Sequence, residues 1–127
     1  MAKIEHCAIY AADTTALKDF YVDALGLRAI VESDDHPPGY FLADGAGMAL
    51  EIIGRPRGEP AVNQRWVCHV AFRVDDVSAS RATLEARGIA FEAETAVDSD
   101  TMRTAFFNDP EGNRCQIVWR DPPLVPK

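Results

Sequence analysis

Cysteine, basic charge and long apolar runs are all scarce in this chain. Three cysteines cannot all pair within one molecule, and the gaps between Cys7, Cys68 and Cys115 match no metal knuckle. A disulfide-built scaffold is excluded, and a reducing cytoplasm is the expected home. Lysine and arginine number 13 against 20 acids, a formal charge of −7. That balance argues against nucleic acid as a partner, because phosphate backbones are bound by a basic footprint. No apolar run approaches the roughly 20 residues that cross a bilayer, so no membrane partner is expected. The opening MAKIEHC brings charge at Lys3 and Glu5, where a signal peptide would hold its apolar stretch.

What the chain has is a repeat. Its 127 residues fit one domain able to bury a real core, and they state one pattern twice. IEHCAIYAADTTALKDFYVDALGL and FLADGAGMALEII in the first half correspond to VCHVAFRVDDVSASRATLEARGI and FFNDPEGNRCQIVW in the second. His6 and Asp13 recur 63 residues later as His69 and Asp76; Asp44, Gly47 and Glu51 recur 65 residues later as Asp109, Gly112 and Gln116. Such a repeat governs the fold expectation before anything else. Two chemically capable side chains per half suggest one pseudo-symmetric site with ligands His6, Glu51, His69 and Gln116.

Each half reads as strand, helix and three strands. Ile4 to Tyr10 is apolar-rich and free of breakers, hence a strand. Asp13 or Thr14 offers an N-cap, and Leu17, Phe20, Tyr21, Ala24 and Leu25 follow at helical spacing. Gly26 stops the helix. Arg28 to Glu32 is a strand, SDDHPPG a loop, and Tyr40 to Leu42 with Met48 to Ile53 a hairpin around ADGAG. Module 1 is thus 1–53, followed by a Gly-, Pro- and Arg-rich linker over 54–65 and module 2 over 66–120. In module 2, Trp66 to Val74 is a strand, Asp76 caps a helix to about Arg87, Gly88 stops it, and Ile89 to Glu92 is a strand. AETAVDSD is a polar connection. Arg103 to Phe107 and Arg114 to Trp119 form a hairpin around NDPEGN.

Strand alternation puts the proposed ligands on one face. Ala8 and Tyr10 go with His6, Ala49 and Ile53 with Glu51, Ala71 and Arg73 with His69, and Arg114 and Val118 with Gln116. Alanines on that face leave room for a ligand. Each cysteine lies one residue from a proposed ligand and so belongs to the opposite, packed face, as a small apolar residue. Asp13 and Asp76 read as helix caps, and Asp109, Pro110 and Gly112 as turn chemistry. His36 reads as solvated, although a loop such as its own can close over a cavity.

The motifs IEHCAIYAAD, HVAFRVDDV and FFNDPEGNRCQIV resemble the paired modules of the vicinal oxygen chelate superfamily, also known as the glyoxalase, bleomycin-resistance and dioxygenase superfamily. The resemblance covers essentially the whole chain. It implies an α+β fold in which two tandem βαβββ modules form a curved, barrel-like mixed sheet with helices outside. It implies one divalent metal ion per site (Ni, Zn, Mn or Fe) on the first and fourth strands of each module, which here means His6, Glu51, His69 and Gln116. The last position is most often Glu in the family's metalloenzymes, and Gln116 departs from it.

The activity implied is that of a glyoxalase I-like metal-dependent lyase or isomerase. It would chelate a small substrate through two neighbouring oxygens and stabilise an enediolate, with Glu51 as the base. The alternatives are a ring-cleaving dioxygenase using Fe(II) or Mn(II), and a metal-free resistance protein that binds an antibiotic or other small molecule. Tyr10, Arg73 and Arg114 are the expected substrate-binding residues, and the two arginines would favour an anionic substrate. The family also implies a homodimer.

Overall fold

The computed structural model describes residues 1, 3–60 and 68–125. The chain divides into two compact units, Met1–Val62 and Asn63–Lys127. Each is a βαβββ module with its own four-stranded mixed sheet. The expected α+β class and tandem modules are therefore present. The barrel is not: among the described residues the strands form two separate sheets.

In the first unit β1 (His6–Ala11) leads into α1 (Thr14–Leu25), then β2 (Arg28–Glu32), β3 (Tyr40–Ala43) and β4 (Ala49–Gly54). The sheet order is β1-β4-β3-β2, with β1 parallel to β4. The helix starts where Asp13 accepts the Ala16 N–H at 2.9 Å. It ends at Gly26, whose φ of 73° lets its N–H return to the Tyr21 and Val22 carbonyls, a conformation that costs glycine nothing. Thr14, Leu17, Phe20 and Tyr21 form the buried stripe. Leu42, Leu50 and Ile52 lie at 0–4% exposure and complete the core.

In the second unit β5 (Val70–Arg73), α2 (Val77–Ala86), β6 (Val97–Asp98), β7 (Met102–Asn108) and β8 (Arg114–Arg120) give the order β5-β8-β7-β6. Asp76 caps α2 through the Ala79 N–H, as Asp13 caps α1. Leu84 is the helix's one buried residue, which fits its weaker stripe.

The structure corrects the second strand of this module. Ile89–Glu92 was expected to form it, yet Phe91 makes only an isolated bridge to Phe107. Glu92 turns its carboxylate to Arg114, and the ladder resumes at Val97–Asp98, inside the stretch expected to be a polar connection. The expected strand start at Trp66 and the later part of the linker fall in 61–67, outside the described residues. The cysteines also divide. Cys115 is buried as expected, Cys7 is half-buried and Cys68 is exposed. Burial pushes the Cys7 thiol up from its ordinary pKa. No described helix is long and apolar enough to cross a membrane.

Candidate functional site

Register places the donors of each unit. In the first, Ala8 lies opposite Glu51 and His6 opposite Ala49, so both side chains rise from the same face of neighbouring strands. His6 Nε2 comes to 3.5 Å from Glu51 Oε1. That is longer than the about 2.7–3.2 Å of an N–H···O hydrogen bond. The other ring nitrogen, Nδ1, is 2.8 Å from Glu5 Oε1. With a carboxylate at Nδ1, that nitrogen is the donor, and in the neutral ring Nε2 would carry the lone pair. Phe41, the register partner of Glu51 on β3, meets the His6 ring edge-on at 5.2 Å.

The second unit repeats this local arrangement. Gln116 lies opposite Ala71 on one side and Phe106 on the other. His69 meets Phe106 edge-on at 5.0 Å. Each unit therefore groups an imidazole, a phenyl ring and a carboxyl or carboxamide. Gln116 is buried, and its Nε2 donates to Thr104 Oγ1. The amide oxygen is then the end left for a ligand. Phe41 and Phe106 were missed from sequence, although they too stand 65 residues apart.

The remaining expected site residues separate. Arg73 and Gln116 line one hollow of about 240 Å³ in the second unit, with Ala71, Val118 and Arg120. Tyr10 is 41% exposed and lies opposite Ile53. Arg114 is 4% exposed. Its Nε and Nη2 donate to the two Glu92 oxygens at 2.9 and 3.0 Å, and its guanidinium covers Phe106 at 4.0 Å. Glu92 thus already satisfies the charge expected to hold an anionic substrate.

A larger hollow of about 710 Å³ belongs to the first unit. Glu51 opens into it beside Phe41, Val31 and Ile53. His36, which read as solvated, lines it as well, since its loop folds over this face.

The donor set suits a divalent cation. Imidazole, carboxylate and amide oxygen are borderline-to-hard donors of the kind that mid-series ions accept. Two ligands about 2.1 Å from one ion and about 90–110° apart stand roughly 3.0–3.5 Å from each other, which matches the His6–Glu51 approach. Each unit supplies two donors. No group of three or more His, Cys, Asp or Glu placed to hold an ion occurs among the described residues.

A family model described as Glyoxalase/Bleomycin resistance protein/Dioxygenase superfamily matches residues 3–117. The uncharacterized protein YaeR of Escherichia coli K12 is 32% identical over 119 residues, 88% of this chain and 92% of YaeR. TnmS3, an antibiotic binding protein from Streptomyces sp. CB03234, is similar in structure with a TM-score of 0.72 and 26% identity, over 92% of this chain and 94% of TnmS3. The oxidase ChaP-H2 is similar with a TM-score of 0.75 and 25% identity, over 94% of each chain.

Proposed function

The chain belongs to the glyoxalase/bleomycin resistance protein/dioxygenase superfamily, and on that premise we propose that it is a metal-dependent lyase or isomerase acting on a small substrate with two neighbouring oxygens. The observation that carries the reading is the approach of His6 Nε2 to Glu51 Oε1 at 3.5 Å, with His69 and Gln116 in the repeat-equivalent places. His6, Glu51, His69 and Gln116 would hold one divalent ion. When bound, that ion supplies Lewis-acid polarisation of the substrate oxygens.

The chain's own residues do the rest. Glu51 is the one carboxylate of the donor set and opens into the larger hollow, so its carboxylate, loosened from the ion, would take the proton from a substrate carbon beside a carbonyl. A positioned base of this kind contributes on the order of 10²–10⁴-fold. Glu5 on Nδ1 keeps the His6 ring oriented. Thr104 holds the Gln116 amide by its nitrogen. Val31, Phe41 and Ile53 displace water from the substrate's carbon skeleton.

Element analysis of full-length protein purified without chelator tests the reading. About one divalent ion per pair of units is expected, and replacing both His6 and His69 by Ala removes it while the fold remains. Wild-type protein that stays metal-free through titration with Ni, Zn, Mn and Fe sinks it. That outcome would favour a second reading: a metal-free binding protein, supported by the likeness to TnmS3 and by the uncharged Gln116. Oxygen consumption by the metal-loaded protein would instead favour the ring-cleaving dioxygenase reading; the similar ChaP-H2 is described as an oxidase.

A further inference from the structure

The larger hollow holds two arginines that the reaction derived above leaves unused. Arg55 and Arg57 line it together with Glu51. Arg55 is half-buried and Arg57 exposed. Neither forms an ion pair with a described residue, although Asp35 and Glu59 line the same hollow.

Backbone contacts fix both positions. The Arg55 N–H donates to Ala11 O at 2.9 Å, carrying the β1–β4 ladder one residue past Gly54. Pro56 to Glu59 is a turn closed by the Glu59 N–H on Pro56 O at 3.1 Å. Gly58, with φ of 89°, fills the third position, where a turn of type II needs a positive φ. Arg57 is therefore the second residue of a closed turn. The facing wall is tied down as well: Ser33 N–H donates to Gly39 O at 2.9 Å, and Gly39 N–H to Ser33 Oγ at 2.8 Å. This loop seats Pro37 against Gly54, where an added Cβ would lie 2.9 Å from Pro37 Cγ. The repeat supplies an independent sign. Arg55 recurs 65 residues on as Arg120, the same offset as Glu51 and Gln116, and Arg120 lines the second unit's hollow beside Gln116 and Arg73.

We infer that the substrate carries an oxyanion group, a carboxylate or a phosphate, which Arg55 and Arg57 bind apart from the carbon that faces Glu51. The inference rests on reading this hollow as the reaction site and names its substrate class. Guanidinium is the side chain whose planar fork pairs with either oxyanion. Both line the hollow without an ion pair to a described residue, and so both are open to a ligand. The chain's formal charge of −7 repels anions at long range, so an anionic substrate needs such a local clamp.

The test follows the arginine Nε–Hε signals of the full-length protein by NMR while inorganic phosphate, or separately malonate, is titrated in. Metal-loaded and chelator-treated samples are both measured. Saturable movement of the Arg55 and Arg57 signals is expected in both. The double variant R55Q/R57Q is expected to bind at least tenfold more weakly with an otherwise wild-type backbone spectrum; the single variant R57Q, at an exposed turn, guards against misfolding. A response to phosphate alone or to malonate alone supports the inference and identifies the oxyanion. Arginine signals that neither anion moves, or a folded R55Q/R57Q that binds both as tightly as wild type, overturn it. Failure of the cation site alone would show in element analysis and leave the chelator-treated titration unchanged, so the two readings fail separately.

Discussion

Glu51 is the residue on which the proposed chemistry turns, because its partner in the repeat has lost its charge. Gln116 cannot accept a proton near neutral pH, and Asp13, Asp76 and Asp44 serve as helix and turn caps. Glu51→Gln keeps an amide oxygen for the cation and removes the base. The expected outcome is metal affinity largely preserved, with kcat for substrate C–H exchange in deuterated solvent falling by about 10²–10⁴. α-Keto hemithioacetals and 2-acyl thioesters are suitable probes. Exchange at the wild-type rate by metal-loaded Glu51→Gln would make Glu51 a ligand only. The cysteines give a second check at this scale. With Cys68 exposed, Cys7 half-buried and Cys115 fully buried, a thiol reagent should label one cysteine quickly in native protein and all three after unfolding. Cys7 or Cys115 reacting as fast as Cys68 would contradict this packing. The expectation that Cys115 packs in the interior agrees with its burial. Alternation missed Cys68 because it names a face only where a strand exists, and β5 begins two residues later.

At the level of elements, the same hairpin is built twice with different burial. Asp44 accepts the Ala46 and Met48 N–H groups at 2.7 and 3.1 Å from an exposed turn. Asp109 accepts the Glu111 and Asn113 N–H groups at 2.9 Å and also the Asn113 side chain, and it is only 4% exposed. Removing a buried acceptor strands its donors away from water at about 1–3 kcal/mol, whereas water replaces an exposed one. Asp109→Ala should therefore lower urea stability by about 1–3 kcal/mol and Asp44→Ala by less than about 1 kcal/mol. Equal losses in the two variants would refute the burial argument. These aspartates, like the caps Asp13 and Asp76, were legible in sequence because their chemistry is local. The short β6 was not. Ile89–Glu92 has the composition of a strand, but Glu92 is committed to Arg114, 22 residues away in the chain, and no local pattern reveals such a partner. The pairing of Arg114, expected at the substrate, with Glu92 was hidden for the same reason. Arg55 and Arg57 were passed over as linker because Gly and Pro hid a turn that presents them to the hollow.

For the molecule as a whole, the repeat disclosed two βαβββ modules, since a duplicated pattern carries the succession of elements along with composition; the order of strands within each sheet came from the structure. Closure was beyond the repeat as well. Whether two sheets join into one barrel depends on strand edges, and edge pairing leaves no trace in an alternating sequence. Those edges argue for assembly. Among the described residues each sheet ends in two strands with one neighbour apiece: β1 and β2 in the first unit, β5 and β6 in the second. All five residues of β2 are exposed, with Ile30 at 50% and Val31 at 51%. A strand edge carrying exposed apolar side chains invites pairing with another chain unless it is covered. A twofold contact is the commonest way for a soluble protein to cover such a surface, because one patch then serves both partners. We therefore expect a homodimer. Light scattering on the full-length chain at micromolar concentration should return twice the mass of one chain. Ile30→Lys, which places a charge on the β2 edge, should shift the population toward single chains as the protein is diluted. Wild-type protein that scatters only as a single chain across that range would count decisively against a dimer. It would also leave the exposed apolar edge of β2 to be explained by some other means.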